Sequence, residues 1–540
     1  MAQDSNINPL IPSLVTILLV LVAVNSQPWH DHGTKANWVN HGGDLHNKRY
    51  ASKEKRISPE TVSKLHLKWK FEAGRDITAT PAIFKGTIYF PSWDGWVYAV
   101  KASDGSLVWK QNLHQLTGLN ATGFVYGVNT TVSRATPTVA GDCNLLIVGI
   151  YGPAIVIALK RLTGHLVWMT RLDDSSAALI TMSGTYFDGG FYVGVSSLEE
   201  GFSIEKCCTF RGSFAKLNVH SGAIMWQTFM LPNNNGELGG YAGAAVWGSS
   251  PSIDIGRKLV YIATGNLYSA PSRIEQCQAK QNKQSRPTQP DPCIEPDNHS
   301  NSILALDLHT GKIKWYHQLG GYDVWFLACN NLSTANCPPG PNPDADFGEA
   351  PMLLSVHING TKRDIAVAVQ KSGIAWVLDR GNGNLIYFTE AGPGGIGGGG
   401  TWGAATDEKI IYTNIANSGG QNFTLKPSNK ITTAGGWVAI DAKTGMIKWS
   451  IENPSNATAS GPVTVANGVV FVGSTNGQGT IYALDSKAGK VLWSYNTGAT
   501  VFGGFSVSNG CVYIGNGYKV NIGILSPSFT AGKSLFAFCV

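Results

Sequence analysis

ILALDLHTGKIKW, residues Ile303–Trp315, is the stretch that decides the fold. It reads as an apolar run, then Asp307, a turn at Thr310-Gly311, and a second run that closes on Trp315 four residues after the glycine. A glycine at the turn supplies the positive φ a tight reversal needs, and each flanking run has strand length, so the phrase encodes a β-hairpin. WVAIDAKTGMIKW (Trp437–Trp449) and IYALDSKAGKVLW (Ile481–Trp493) repeat it closely. Looser copies end at Trp109, Trp168, Trp226 and Tyr387, always with a glycine four positions before the aromatic. Such self-similarity marks a chain built from one supersecondary unit that needs its neighbours to bury its apolar surface.

Each hairpin follows another strand, such as LVYIA (Leu259–Ala263) or VVFVG (Val469–Gly473). The unit is therefore a four-stranded meander with the aromatic on its outermost strand. LHLKWKF (Leu65–Phe71), with Trp69, is an outer strand with no inner strands before it, whereas the inner strands after Phe502 have no outer strand after them. These two ends complete each other. The sequence thus predicts an all-β, eight-bladed β-propeller of four-stranded blades over residues 36–540, closed by pairing the N-terminal strand with the C-terminal blade. The aromatics are read as packing between blades. Residues 267–300 and 330–349 exceed what a blade needs; polar, proline-rich and cysteine-bearing, they are expected to decorate the surface.

Composition agrees: 64 Gly, 25 Pro and 16 Trp with 14% charged residues suit short strands and tight turns. The net charge of +6 is spread without a basic block, so neither nucleic acid nor an anionic membrane is expected as a partner. The apolar run Leu10–Val24 has the length of a signal-peptide core, so residues 1–26 are read as a leader whose removal leaves no stable membrane span. Its N-terminal part lacks Lys and Arg, which keeps a retained anchor as the alternative. Sequons at Asn120, Asn129, Asn298, Asn331, Asn359, Asn422 and Asn456, together with nine cysteines, point to secretion into an extracellular or cell-wall space. Cys277/Cys293, Cys329/Cys337 and Cys511/Cys539 are the expected local pairs, which leaves Cys143 over.

The repeat A-x-D-x-x-T-G-x-x-x-W resembles the tryptophan-docking motif of the PQQ-dependent (quinoprotein) alcohol dehydrogenases, and the likeness runs over most of residues 36–540. The polyvinyl-alcohol dehydrogenase branch fits best, in a glycosylated, plant-like secreted form. The resemblance implies pyrroloquinoline quinone (PQQ) held on Ca²⁺ in the central channel, where the quinone accepts hydride from an alcohol. It assigns the metal to Glu200 of SSLEE (Ser196–Glu200), with Glu199 as rival, and to Asn266. Ser197 and Arg134, in SRATPTV, would then meet cofactor carboxylates, and Lys371 would stand beside the reactive quinone oxygens. The adjacent Cys207 and Cys208 are implied to be joined to each other over one face of the quinone, with Trp247 and Trp402 as candidates for the other. Plainer readings stay open for each: a solvated acidic loop, a left-handed turn at Asn266, a surface lysine, two long-range disulfides.

One position departs from the family pattern. YDVWFLAC (Tyr322–Cys329) puts Phe326 where the catalytic Asp belongs, which leaves Asp323 as the candidate base. There is no C-x-x-C-H haem motif, so electrons would pass to an external acceptor, and no G-x-S-x-G or P-loop. The expected function is oxidation of hydroxyl groups on a small alcohol or polymeric polyol; the alternative is a cofactor-free propeller that binds glycan or protein. Ring closure is testable first. Deleting Leu65–Glu72 should expose the edge of the last blade and convert a monomer into aggregate on size-exclusion chromatography.

Overall fold

Every turn glycine of the repeat lies directly beneath the aromatic ring of the preceding blade. At Gly105, Gly164, Gly222, Gly311, Gly383, Gly445 and Gly489 φ is 69–74°, and a Cβ there would stand 2.4–2.8 Å from ring atoms of Trp69, Trp109, Trp168, Trp226, Trp315, Tyr387 and Trp449. Only glycine meets both demands. The ring's polar edge is used as well. The indole N–H of Trp109 donates to the Arg161 carbonyl at 3.0 Å, Trp168 to Val219 at 2.7 Å, Trp449 to Ser486 at 2.9 Å, and the Tyr387 hydroxyl to Ala442 at 2.6 Å. The acceptor always lies three residues before the glycine. Trp315 is the exception: its N–H has no acceptor, and the Arg380 carbonyl that the pattern reserves for it takes the Tyr261 hydroxyl instead, at 3.0 Å.

The computed structural model describes Met1 and residues 37–121, 127–283, 292, 293, 295–329, 337, 338, 340, 342–358 and 360–540, and the chain from Lys35 onward is one compact unit. Eight antiparallel blades follow one another in chain order. Blade 1 comprises the strands Ala82–Phe84, Thr87–Ser92, Trp96–Lys101 and Leu107–Asn112, from inside outward. The inner strands of blades 2 to 7 are Thr138–Ala140, Thr185–Phe187, Ser252–Asp254, Met352–Ile358, Ala405–Thr406 and Thr464–Ala466. Blade 8 takes Ser506–Ser508, Cys511–Gly515 and Ser534–Cys539 from the C terminus and His66–Glu72 from the N terminus as its outer strand. There His66 opposes Cys539 and Glu72 opposes Ser534, and the Cys511–Cys539 disulfide joins the two neighbouring C-terminal strands. The Trp69 indole then donates to Ala102 of blade 1, and Trp493 of blade 7 donates to Leu65, so the indole-to-carbonyl bond also crosses the seam between the two ends of the chain, there without a glycine under Trp493.

The segment Trp38–Ala51 forms a hub that touches the inner side of all eight blades in turn, which the repeat pattern did not announce. Trp38 pairs with Ile83, the Val39 carbonyl accepts from Val139, and Asn40 donates to Thr185. The carbonyls of Leu45, His46, Lys48 and Arg49 accept from Ile253, Leu353, Thr406 and Val465. Arg49, fully buried, ends the circuit by donating to Val463 at 2.6 Å, Thr464 at 2.8 Å and the Phe505 carbonyl of blade 8 at 3.1 Å.

The two long stretches differ from expectation. Residues 267–300 contain a strand, Leu267–Ser269, and a ten-residue helix, Ser272–Gln281, fastened by Cys277–Cys293; Cys329–Cys337 closes the second stretch. The end of that second stretch is not surface decoration: Asp344–Glu349 is buried, because the carboxylate of buried Asp323 accepts the N–H groups of Asp344 and Ala345 and draws the chain inward. Of the sequons, Asn120, Asn129, Asn422 and Asn456 are exposed, whereas Asn298 is buried with its Oδ1 on the Ser300 N–H; Asn331, Asn359 and the expected leader past Met1 lie outside the described residues. Among the described residues no helix is long and apolar enough to cross a membrane. Arg49→Ala should cost at least about 3 kcal/mol, since it strips donors from several buried carbonyls at once, and should lower the denaturant midpoint accordingly.

Candidate active site

Two sets of segments converge at one end of the ring. Residues that lead into the inner strands supply Arg134, Thr181, Trp247, Asp346, Trp402, Ser460 and Phe502, one from each of blades 2 to 8, and residues that follow the second strands supply Tyr151, Ser197, Glu200, Tyr268, Lys371 and Tyr518. Together they enclose a cavity of about 460 Å³.

Lys371 is the electrostatic centre. Its Nζ lies 2.9 Å from Asp344 Oδ1 and 2.7 Å from Asp346 Oδ1, and 5.4 Å from the centroid of Trp247. Burial alone would pull the ammonium down, but Asp344, Asp346 and Glu200 outweigh it and hold its pKa above the usual lysine value. The second Asp346 oxygen accepts the Trp247 indole N–H at 2.7 Å. Burial pushes Asp344 well up and Glu200 up to about 7, with Lys371 opposing the shift and Asp346 adding to it at Glu200. Position is set by the backbone: Lys371 N–H donates to the Asp346 carbonyl, and the Lys371 carbonyl accepts from Gly395 and Gly399.

Glu199 and Glu200 separate cleanly. Glu199 accepts the N–H groups of Thr209 at 2.9 Å and Phe210 at 2.7 Å and so ties down the Cys207–Cys208 loop, while Glu200 faces the cavity. Ser197 also lines the cavity, with its Oγ on the Glu199 N–H. Asn266 is buried behind the wall; its Nδ2 donates to the Leu267 and Trp325 carbonyls, and its Oδ1 has no partner. Tyr268, two residues on, donates to the Ser197 carbonyl.

On the other side, Arg134 stacks on Trp402 with its guanidinium carbon 4.2 Å from the ring centroid, near Phe502 and Tyr518. No carboxylate among the described residues pairs with it. Trp402 meets Trp247 edge to face at 4.9 Å and holds a left-handed φ of 68°, costly for a bulky residue and enforced by its N–H on the Gly348 carbonyl and the His41 ring on its own carbonyl. Cys207 and Cys208 are joined to each other, but neither lines the cavity; Cys208 belongs to the buried cluster that includes the cavity residues Ala245 and Tyr268, and Cys207 and Trp247 lie against that cluster, so the pair backs the wall.

Asp323 and Phe326 are both buried away from the cavity, Asp323 being committed to the Asp344–Ala345 backbone and to Asn301. The carboxylates at the cavity are those of Glu200 and Asp346, with Asp344 behind Lys371. Neither Asp344 nor Asp346 was singled out from the sequence, although the signal existed: Asp346 leads into an inner strand through EAP (Glu349–Pro351), as Arg134 does through ATP (Ala135–Pro137).

Among the described residues no group of three or more His, Cys, Asp or Glu side chains is arranged as a ready metal shell. Glu200 and the unpartnered Asn266 Oδ1 nevertheless fit a hard cation, and a divalent ion there would stabilise the ionised form of carboxylates that burial otherwise drives towards the neutral form. Arg134, which has no carboxylate partner among the described residues, and a flat indole face beside it fit a planar, anionic ligand.

The glucose/ethanol/alcohol dehydrogenase β-propeller (PQQ) family model matches residues 38–169 and 209–393, and that of the outer membrane protein assembly factor BamB matches 397–522. Polyvinylalcohol dehydrogenases of a Pseudomonas and a Sphingopyxis species are each 27% identical to this chain, covering 90% and 94% of it and 74% and 77% of their own lengths. Two solved structures share the fold: the quinohemoprotein alcohol dehydrogenase of Comamonas testosteroni (TM-score 0.68, 19% identity, 93% of this chain and 80% of that one) and that of Pseudomonas putida (TM-score 0.71, 17% identity, the same coverage).

Because the folded Glu200 binds its proton more tightly than the unfolded chain does, its contribution to stability is full below about pH 4.5 and is lost as pH rises towards 7. In chelator, the wild type should therefore lose stability relative to Glu200→Gln over that window, by at most about 1.4 kcal/mol per pH unit and less where cavity water screens the charge, as read from melting curves at each pH.

Proposed function

The chain belongs to the PQQ family of glucose, ethanol and alcohol dehydrogenase β-propellers and is an oxidoreductase of the quinoprotein type; we propose that it oxidises a hydroxyl group held against Asp346 and Lys371. The observation that carries this reading is the Lys371 ammonium, buried between two carboxylates at the wall of a cavity that Arg134 also lines, with no carboxylate partner to that arginine among the described residues. Bound there, PQQ supplies the carbonyl that accepts hydride from the alcohol carbon.

The chain's own residues do the rest. Lys371 stabilises negative charge that develops on an oxygen placed beside it. Arg134, braced by Trp402, offers a planar fork to a carboxylate, and the mutually perpendicular indoles of Trp402 and Trp247 offer a flat ligand one stacking face and one edge. Glu200 and Asn266 are the proposed oxygen donors to calcium. Asp346 is the proposed general base: among the described residues it is the aspartate that faces the cavity, with one oxygen on Lys371 and the other on the Trp247 N–H, and it takes the proton from the substrate hydroxyl. Asp323 is then a positioning residue for the Asp344–Asp346 segment. The polyvinylalcohol dehydrogenases support an alcohol or hydroxylated polymer as substrate. Export of the chain and delivery of electrons to an external acceptor complete the proposal.

Asp346→Asn should lower turnover with an artificial acceptor by about 10² to 10⁴ while quinone binding, followed by absorption titration, persists. Asp323→Asn should mainly lower the melting temperature. If Asp346→Asn stays active and Asp323→Asn does not, the base is misassigned; if the wild type fails to bind quinone with calcium present, a cofactor-free binding platform replaces the enzyme.

A further inference from the structure

The opening of the cavity carries an aliphatic lip that the chemistry above does not use. Ile396 stands alone in the glycine-proline run Gly392–Gly400 and is 44% exposed, although its loop is pinned. Gly395 and Gly399 donate to the Lys371 carbonyl at 3.2 and 2.7 Å, and a Cβ on Gly394 or Gly399 would strike the backbone of Ser372 or Gly373. The other part of the lip is the 3₁₀ turn Asn521–Leu525, where Ile522 and Leu525 are 44% and 65% exposed. This turn is fixed as well. Asn521, fully buried, donates to the Tyr151 hydroxyl; Lys519 Nζ donates to the Ser526 carbonyl at 2.8 Å, and the Phe529 N–H donates to the same carbonyl at 3.1 Å.

Ile396, Ile522 and Leu525 all line the cavity that contains Lys371 and Asp346. Large aliphatic side chains held in water by anchored loops mark a surface that a ligand covers. Their continuity with the reaction cavity favours the substrate itself as that ligand. Building on the proposed alcohol oxidation, we propose that these three residues select an alcohol with a long aliphatic chain, whose hydroxyl reaches Asp346 while its methylenes lie on the lip. Hydroxyl groups laid on Ile396, Ile522 and Leu525 themselves would lose water without gaining a partner, whereas methylenes would not. Each methylene that the lip covers tightens binding about three- to fourfold, so affinity climbs with chain length until the chain passes beyond the lip.

The test compares ethanol, 1-hexanol, 1-octanol and glycerol on the quinone- and calcium-loaded full chain, by equilibrium titration of tryptophan fluorescence and by kcat/KM with an artificial acceptor. The wild type should bind 1-octanol at least tenfold more tightly than ethanol, and glycerol no better than ethanol. In the triple variant Ile396→Ser, Ile522→Ser, Leu525→Ser, with melting temperature checked as unchanged, the octanol-to-ethanol affinity ratio should collapse towards one. The proposal is overturned if the wild type shows no chain-length dependence, or if the variant keeps it. It is equally overturned if the variant slows only electron transfer to a protein acceptor, which would make the lip that acceptor's docking surface. Chain-length-dependent binding without any oxidation would support the lip and instead overturn the proposed chemistry.

Discussion

The contact on which the rest of the structure depends is the aromatic ring of one blade lying on the turn glycine of the next. It couples two requirements that no other residue pair meets together: a left-handed turn conformation and a surface flat enough for a ring to approach within van der Waals range. Because the indole or phenol edge also donates to a carbonyl three residues before the glycine, the contact sets both the distance between blades and their angle. Repeated around the circle, it leaves the N-terminal outer strand a single place to pair, against the C-terminal blade. Trp315 shows how much is tolerated: its hydrogen bond is lost to Tyr261, yet its ring still covers Gly383.

A ring of this size has an axis to fill, and the chain fills it from two directions. The hub Trp38–Ala51 closes the inner strands with backbone hydrogen bonds and the buried Arg49, and through His41 it reaches the carbonyl of Trp402 in the cavity wall. The site therefore rests on the same hydrogen bonds that complete the ring. A strained Trp402 is sustained because its N–H and its carbonyl are both held by neighbouring elements.

Charge is distributed unevenly in this cavity. Lys371 is surrounded by carboxylates, whereas Arg134 is surrounded by aromatic rings. Under the proposed function, the first arrangement would stand beside a cation held by Glu200 and Asn266, and the second would meet an anionic group of the cofactor. A planar, anionic redox cofactor that also ligates a metal matches both halves, which is why the family assignment and the local electrostatics point the same way. The aliphatic lip adds a third region, apolar and solvent-facing, on loops anchored to the Lys371 backbone and to Tyr151.

Much of this was legible in one dimension. The glycine-to-aromatic spacing fixed the blade, the unmatched ends fixed the closure, and local cysteine spacing anticipated the three short-range disulfides. All of these depend on neighbours in sequence or on a strict repeat, and both leave a periodic trace. Arg134, Ser197, Glu200, Trp247, Lys371 and Trp402 line one cavity, while Cys207, Cys208 and Asn266 stand behind its wall and Asp323 supports it from outside. What only the tertiary structure decided was which carboxylate faces the cavity, how the hub binds eight blades, and where Ile396 meets Ile522 and Leu525. These depend on residues far apart in the chain and on loops without a period; Asp344 and Asp346 follow a long irregular stretch, and only the pull of Asp323 on their backbone brings them to the axis.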